Sequence, residues 1–498
     1  MVNLNYKKFI FSIFFTFFFS LFNTPQIDGG PVSSDDYQYW TLATHLAKTG
    51  NYGYVNQSDY DETDFYNPLN NAGIRRGEVL YPFFISTVIK VTTSDSELNS
   101  IDADCIYKIN DGLCSVLGGS TVLLNIVFLI AKYLLIFYVA YLLYDRCSKG
   151  KIAFISFFMG TTLIYTNKDF LTFALLLFYF ISFLDTYESK LKNLFKYFSL
   201  SLLPLTNPIF YYYLFINFLL ESLKMIKKGK INTLKIMILI LCFLPSVLWS
   251  MRNYYHTDEF TITSRSSEII GIRAEFLSIE YDDIPAGLVY YTPGNKITNI
   301  FKGYLWDKVG SSENWELLFD RSYEDSKFRL GHQKRGFVFE RMKENIGISN
   351  IQDITYQSIV QQNGHSYATN EYRKASFDMI NENKLKYLST STIFLYRGLF
   401  PEINQLKDSL KEFVIGEFFN QIIILFRLFP IIFAFYIIFK NFKYFLSSEE
   451  MYLFLFIYSG YGLLTHFIPR YSTLLVPFSI YLFIKLCIED KFETNLSM

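Results

Sequence analysis

The chain has 498 residues, of which 51% are hydrophobic, 19% aromatic and 18% charged, and its formal net charge is zero. About a quarter of the residues in a soluble domain are charged, so the composition argues against an ordinary soluble protein, and zero net charge argues against a nucleic-acid partner. Stretches such as 121–144 and 170–184 hold almost no charge, whereas 253–415 has the composition of soluble sequence. Because roughly 20 apolar residues cross a bilayer core, we interpret the apolar stretches as membrane spans.

The chain begins with an apolar run, 9–22, that follows Lys7 and Lys8. A secretory signal peptide and a membrane span are the two interpretations of this segment. A signal peptide ends at a small-residue cleavage site, whereas this run continues into Asn-Thr-Pro at 23–25. We therefore predict an uncleaved first span.

Lysine and arginine occur in every second loop between the apolar stretches, and such residues mark cytoplasmic loops. The alternation predicts an all-α polytopic membrane protein with about 10 transmembrane helices and both ends in the cytoplasm. We expect juxtamembrane helices in a first outer segment, 24–118, and a mixed extracytoplasmic region at 253–415. The predicted organisation is an N-terminal transmembrane module, 1–252, then the 253–415 region, then C-terminal transmembrane helices, 416–498.

The first outer segment opens with Asp35 and Asp36, and apolar residues then recur at helical spacing until Gly50. We predict a short helix on the membrane surface that ends at this glycine. Asp35 is interpreted either as the N-cap of this helix or as a catalytic carboxylate. The apolar stripe consists of Tyr39, Leu42, Ala43, Leu46 and Ala47.

Two arginines, Arg75 and Arg76, follow in the same outer segment. Arginines beside an outer membrane face oppose the usual charge bias, so they call for a partner. Either they bind an anionic phosphate, or they pair with Glu78 or Asp35.

Two cysteines, Cys105 and Cys114, also fall in this outer segment. They are either a disulfide, which an oxidising compartment permits, or two free thiols. Their closeness in sequence favours the bridge.

Further polar residues reach the predicted outer face from later segments. Asp169 begins the fourth span, where a helix dipole favours a carboxylate even without a function, and Arg252 and Arg470 lie at the ends of later spans. Lys132 lies inside the second span, where a charge is costly, so that it either snorkels outward or contacts a lipid phosphate. Each residue has a structural interpretation, but two carboxylates and four arginines on one membrane face favour a binding site there.

Six motifs follow one another in an order that resembles a known family. They are Asp35, Tyr39 and Ala43; Gly50 and Tyr52; Arg75, Arg76, Tyr81 and Pro82; Asp169 with the apolar run after it; Trp249, Arg252, Asn253 and Tyr254; and Arg470 and Tyr471. The pattern resembles the GT-C superfamily of glycosyltransferases, in particular the branch of protein O-mannosyltransferases and aminoarabinose transferases. The resemblance covers most of the chain except 260–365, and residues 77–80 lack the Pro-Pro or Pro-Gly of many relatives.

The resemblance implies that a sugar moves from a polyprenyl-phosphate carrier to a protein, lipid or glycan acceptor. The site would face the periplasm or exterior of a cell (inner) membrane, or the lumen of the endoplasmic reticulum in a eukaryote. Asp35 would be the general base of an inverting reaction, and Asp169 would position the acceptor or share that role. No cofactor or metal is required, because a lipid phosphate leaves readily and no histidine or cysteine cluster has ligand spacing.

Arginines would stabilise the departing phosphate through bidentate contacts. The phosphate-binding candidates are Arg75, Arg76, Arg252 and Arg470, and further candidates are Asp36, Tyr39, Tyr81, Lys132 and Tyr471.

Two alternatives have different sequence signatures. A membrane polysaccharide polymerase or ligase would depend on loop arginines and histidines for its activity. It would lack aspartates at the starts of two early outer segments. A transporter would carry several ionisable groups near the midplane of its spans and internal repeats, whereas Lys132 is the one clear mid-span charge in this sequence.

Overall fold

The fold is given by a computed structural model, and every regular element within its described residues is a helix. Those residues contain no strand, so every regular element described in 253–415 is a helix; the expected mixed structure of that region stays a prediction, since a large part of it lies outside the described residues. The described residues are 6–19, 34–55, 67–74, 77–101, 106, 115–144, 148, 152, 155–156, 159, 167–184, 189–227, 229, 232–292, 303–305, 337–350, 354, 356–400, 429–441, 448–464 and 469–488.

The elements are as follows in chain order. The α-helices are α1 (Tyr6–Phe19), α2 (Ser34–Thr49), α3 (Leu80–Thr92), α4 (Asp95–Ser100), α5 (Ser115–Leu143), α6 (Asn167–Ile181), α7 (Ser189–Thr206), α8 (Ile209–Lys227), α9 (Thr233–Thr257), α10 (Ser266–Glu275), α11 (Ile284–Tyr291), α12 (Phe337–Asn345), α13 (Tyr356–Asn363), α14 (His365–Glu382), α15 (Lys384–Arg397), α16 (Phe429–Lys440), α17 (Glu449–Ser459), α18 (Pro469–Ser472) and α19 (Val476–Ile488). A π-helix, Gly460–Leu464, follows α17 directly and is called the π-turn below.

Three helices in the described part of the chain are long and apolar enough to cross a membrane: Val116–Leu143 within α5, and all of α8 and α9. No more than a third of the most apolar part of each is buried within the protein, so long apolar faces point outward. Such faces are typical of helices in contact with lipid. The count of about ten spans stays a prediction, because predicted spans such as 152–165 fall largely outside the described residues.

The helix predicted at the start of the first outer segment is present as α2, and Gly50 follows it with a φ of +77°. All five residues of its apolar stripe are buried, none more than 8% exposed. The stripe contacts protein, because Tyr39 packs edge-on against Tyr81 of α3, with ring centroids 5.5 Å apart. Burial against α3 thus explains the apolar pattern of α2.

The region between α9 and α16 has a core of its own. Buried apolar residues of α10, α12, α13 and α14 pack together there, separately from the main core of the bundle. Glu275, at the end of α10, is 1% exposed, and its carboxylate accepts hydrogen bonds from the backbone N–H groups of Phe337 and Val338 at 2.8 and 2.9 Å. This carboxylate joins the start of α12 to α10.

Ion pairs connect several helix ends on one side of the bundle. Glu221 of α8 accepts from Lys224, at 3.0 Å, and from Lys235 of α9. Glu449, at the start of α17, pairs with Lys196 of α7 and lies 3.6 Å from Lys224. These five residues, Lys196, Glu221, Lys224, Lys235 and Glu449, are called the Lys–Glu end. The sequence pattern predicts that the lysines of the Lys–Glu end lie in cytoplasmic loops. The side of the membrane that the Lys–Glu end faces stays a prediction.

Candidate functional site

Asp169 lies in the first turn of α6 and is 3% exposed. The positive end of the helix dipole stabilises a carboxylate at this position. Asp169 and Glu78, which lies just before α3, both interact electrostatically with the phenol of Tyr461 in the π-turn. Two carboxylates that are distant in sequence therefore both act electrostatically on one buried hydroxyl group, whose burial and neighbour Tyr471 have larger effects.

Tyr461 is the centre of this arrangement and is 3% exposed. The Asn207 side-chain N–H donates a 2.6 Å hydrogen bond to its hydroxyl oxygen. The ring of Tyr471, a residue predicted from the sequence, stacks on the Tyr461 ring with centroids 4.5 Å apart. These residues, Glu78, Asp169, Asn207, Tyr461 and Tyr471, are called the Asp169 end.

A chain of aromatic contacts connects α2 to the residue after Asp169. Tyr39 contacts Tyr81, Tyr81 contacts Phe128 of α5, and Phe128 contacts Phe170, with centroid separations of 5.5, 6.0 and 6.0 Å. Edge-to-face contacts of this kind stabilise a pair by about 0.5–1.5 kcal/mol beyond the buried area. The structure thus brings the predicted residues Tyr39 and Tyr81 together and joins them to the start of α6.

Asp35 lies in the first turn of α2, one helical turn before Tyr39. The side chains of Asp35 and Asp36 lie outside the described part of the structure, so the predicted role of Asp35 stays a prediction.

Lys132 of α5 joins the same group of residues. It is 8% exposed, and its ammonium lies 5.8 Å from the centroid of the Phe170 ring. Lys132 is therefore buried among the helices, and its snorkelling toward the outer membrane face stays a prediction. The other interpretation, contact with a lipid phosphate, stays a prediction.

Arg252, near the end of α9, binds backbone carbonyls of the first outer segment. Its guanidinium donates to the carbonyl of Ala72 at 2.7 Å and to the carbonyl of Tyr52. It also lies 5.0 Å from the Trp249 ring. These contacts indicate a positioning role, which differs from the phosphate-binding role predicted from the sequence.

Arg75 and Arg76 lie outside the described residues, but the residues on either side are described. The Ile74 carbonyl accepts a 3.1 Å hydrogen bond from the Ser264 N–H. A Cβ on Gly77 would lie 2.5 Å from Cγ of Pro208 and 2.8 Å from Cβ of Thr263. Both flanks of the arginine pair therefore contact the segment after α9, and the Gly77 flank also contacts Pro208, which follows Asn207 in sequence.

Three further predicted residues cannot be placed by their side chains. Arg470 belongs to the short helix α18, directly before Tyr471, but its side chain is outside the described part of the structure. Cys105 and Cys114 lie outside the described residues, so the predicted disulfide stays a prediction.

Glu78, Asn207 and Tyr461 were not among the predicted site residues. Asn207 lies in the two-residue link between α7 and α8, and Glu78 was considered only as a possible partner of the arginines. Tyr461 had no signal beyond its position between Gly460 and Gly462. Among the described residues, no three His, Cys, Asp or Glu side chains could hold a metal ion.

The class of protein that this fold defines is a helical membrane protein, since its described residues are helical and include three helices able to span a bilayer. Comparison with protein-family models, curated proteins and solved structures found no match to this chain.

Proposed function

We propose that this protein is a membrane glycosyltransferase that moves a sugar from a polyprenyl-phosphate carrier to an acceptor on the extracytoplasmic side. The observation that carries the proposal is the Asp169 end, where a buried carboxylate begins α6 and the buried Tyr461 phenol accepts a hydrogen bond from Asn207 and stacks on Tyr471. The aromatic chain from Tyr39 to Phe170 supports the inclusion of α2 in the same site.

The proposed reaction is one displacement at the anomeric carbon. The acceptor oxygen forms a bond to that carbon, the bond from the carbon to the lipid-phosphate oxygen breaks, and the phosphate leaves with the electron pair. Asp35 takes the proton of the acceptor hydroxyl, and Asp169 positions the acceptor. Such proton transfer contributes about 10²–10⁴-fold to the rate.

Cations are needed where negative charge develops on the departing phosphate. Arg75, Arg76 and Arg470 are the candidates, and Lys132 adds a buried positive charge beside Phe170. Apolar faces on α5, α8 and α9 are consistent with a donor whose lipid tail remains in the bilayer.

The proposal is tested with purified protein and a panel of radiolabelled polyprenyl-phosphate sugars. Asp35→Asn and Asp169→Asn each remove a carboxylate with little change in volume, so we expect transfer to fall by about 100-fold or more. Asp95→Asn is the matched control, because Asp95 is exposed in α4. Wild-type rates in both site variants, with thermal transitions unchanged, would remove these residues from the reaction.

A further inference from the structure

Helix α15 contacts the π-turn that carries Tyr461. The hydroxyl of Tyr387 donates a hydrogen bond to the carbonyl of Leu463 within the turn. A Cβ on Gly462 would lie 2.3 Å from Cδ2 of Leu395, so this glycine permits a close approach of α15. Two positions of the turn therefore touch two positions of one helix.

Arg273 of α10 also binds α15 and is 0% exposed. Its Nη2 donates to the carbonyl of Tyr387 at 2.7 Å, to the hydroxyl of Thr390 at 3.0 Å and to the hydroxyl of Ser391. Its guanidinium also lies 4.3 Å from the Tyr387 ring. The guanidinium of Arg273 thus binds one full turn of α15. That turn begins at Tyr387, the residue whose hydroxyl contacts the π-turn.

The burial of Arg273 is unfavourable for stability. Among the described residues its Nε and Nη1 have no hydrogen-bond partner. Burial lowers the pKa of Arg273 to about 10, so it remains charged at neutral pH. No carboxylate in the described part of the chain pairs with it, and a buried charge without such a partner destabilises a fold. The hydroxyls of Thr390 and Ser391 also donate to the Tyr387 carbonyl, at 3.1 and 2.7 Å, so these groups keep partners without Arg273. A role in packing alone therefore does not account for a charge at this position.

We propose that Arg273 and Tyr387 are positioning residues that act through α15 on the π-turn and hold the Tyr461 phenol against Asn207. The region between α9 and α16 then has a defined task, which is to brace the Asp169 end through α15, whose Ile393 and Phe394 pack in the main core. The link to sugar transfer rests on the function proposed above, but the bracing contact does not.

The closing experiment uses the full chain in lipid nanodiscs and two matched tyrosine variants. Tyr387→Phe removes the hydroxyl that reaches Leu463. Tyr458→Phe removes a hydroxyl that donates to the Leu395 carbonyl at 2.7 Å, across the same interface but from α17. Arg273→Met removes the buried charge, and Arg341→Met is its control, because Arg341 pairs with Glu344 and Glu382 at the surface. Amide hydrogen exchange of residues 460–464 and the rate of sugar transfer are both measured.

We expect Tyr387→Phe and Arg273→Met each to speed exchange in the π-turn and to lower kcat by about fivefold, or about 1 kcal/mol. The donor KM should change by less than about twofold, because the donor contacts are untouched, and the thermal transition of Arg273→Met should not fall. Tyr458→Phe and Arg341→Met should behave like the wild type in both measurements.

Three results would overturn the inference. The first is unchanged exchange of residues 460–464 in Tyr387→Phe, and the second is equal acceleration in Tyr458→Phe. The third is faster exchange with unchanged kcat, which would separate the brace from catalysis. If the wild type transfers no sugar from any donor, the proposed function fails, and the exchange data alone decide whether α15 braces the π-turn.

Discussion

Arg252 shows how one side chain organises the first outer segment. The segment returns towards α9 at two places, near Tyr52 and near Ala72, and one guanidinium donates to a carbonyl at each. A planar guanidinium presents several donors in a fixed geometry, whereas a lysine ammonium does not. The identity of this residue therefore matters beyond its charge.

Arg252→Lys should loosen the loop. Losing one or two charge-assisted hydrogen bonds should lower the free energy of unfolding by roughly 1–3 kcal/mol, and hydrogen exchange at residues 70–74 should become faster. Arg341→Lys, in a surface ion pair, should change stability by less than about 1 kcal/mol. If Arg252 instead binds the donor phosphate, donor affinity should fall in Arg252→Lys while exchange at 70–74 stays at the wild-type value.

At the scale of elements, the turn after α2 meets the 3-10 turn Asn70–Gly73 by direct backbone contact. Gly53 has a φ of +87°, and a Cβ there would lie 2.3 Å from the backbone N of Gly73. Backbone atoms have no alternative rotamer, so they cannot move aside. Gly50 has a similar φ of +77°, but a Cβ there would meet nothing within 4 Å.

Gly53→Ala should therefore be far more damaging than Gly50→Ala. Both substitutions place alanine in the left-handed region, at a cost of about 1–2 kcal/mol, and only Gly53→Ala adds a clash with the chain. We expect a loss of more than about 4 kcal/mol, seen as a lower thermal transition and a poor yield of monodisperse protein. Similar transitions for the two variants would show that the turns can separate without cost.

At the scale of the whole molecule, the same helices connect the two polar ends. Helix α8 starts beside Asn207 and contains Glu221 and Lys224, and α17 starts at Glu449 and leads into the π-turn. The 15 residues of rise from Ile209 to Lys224 correspond to about 22 Å. Ionisable groups thus gather at both ends, while the surface between them is largely apolar.

Disrupting the ion pairs of the Lys–Glu end should lower the stability of the fold without changing the sugar-transfer reaction. Glu449 is 7% exposed and pairs with Lys196, whose side chain is 13% exposed, so Glu449→Gln removes the paired carboxylate of a largely buried ammonium, at a cost of roughly 3–5 kcal/mol. Lys224 is more exposed and keeps Glu221 as its partner. Donor KM should remain at the wild-type value, since the Asp169 end lies a helix length away. Glu344→Gln, which breaks an exposed pair with Arg341, should be nearly neutral. A change in donor KM with an unchanged thermal transition would contradict this division of roles.

Part of the candidate site could be predicted from the sequence. Asp169, Tyr39, Tyr81 and Tyr471 were selected because they lie at helix starts or in short motifs, which are local features of the chain. Asn207 and Tyr461 could not be paired in the same way, because they are 254 positions apart and neither lies in a periodic pattern that points to the other. Arg273 lay in the stretch where the sequence resembles nothing familiar, and its burial depends on packing against α15.

The sequence by itself determined that the protein is helical and apolar enough to cross a membrane. Span length, helix ends such as Gly50 and the amphipathic stripe of α2 are set by neighbouring residues, so they can be recognised locally. Only the tertiary structure decided which helix ends meet, that the stripe of α2 packs on α3, and that Lys132 lies within the bundle. Those outcomes depend on contacts between distant segments, whose free energies arise from burial and hydrogen-bond geometry in three dimensions.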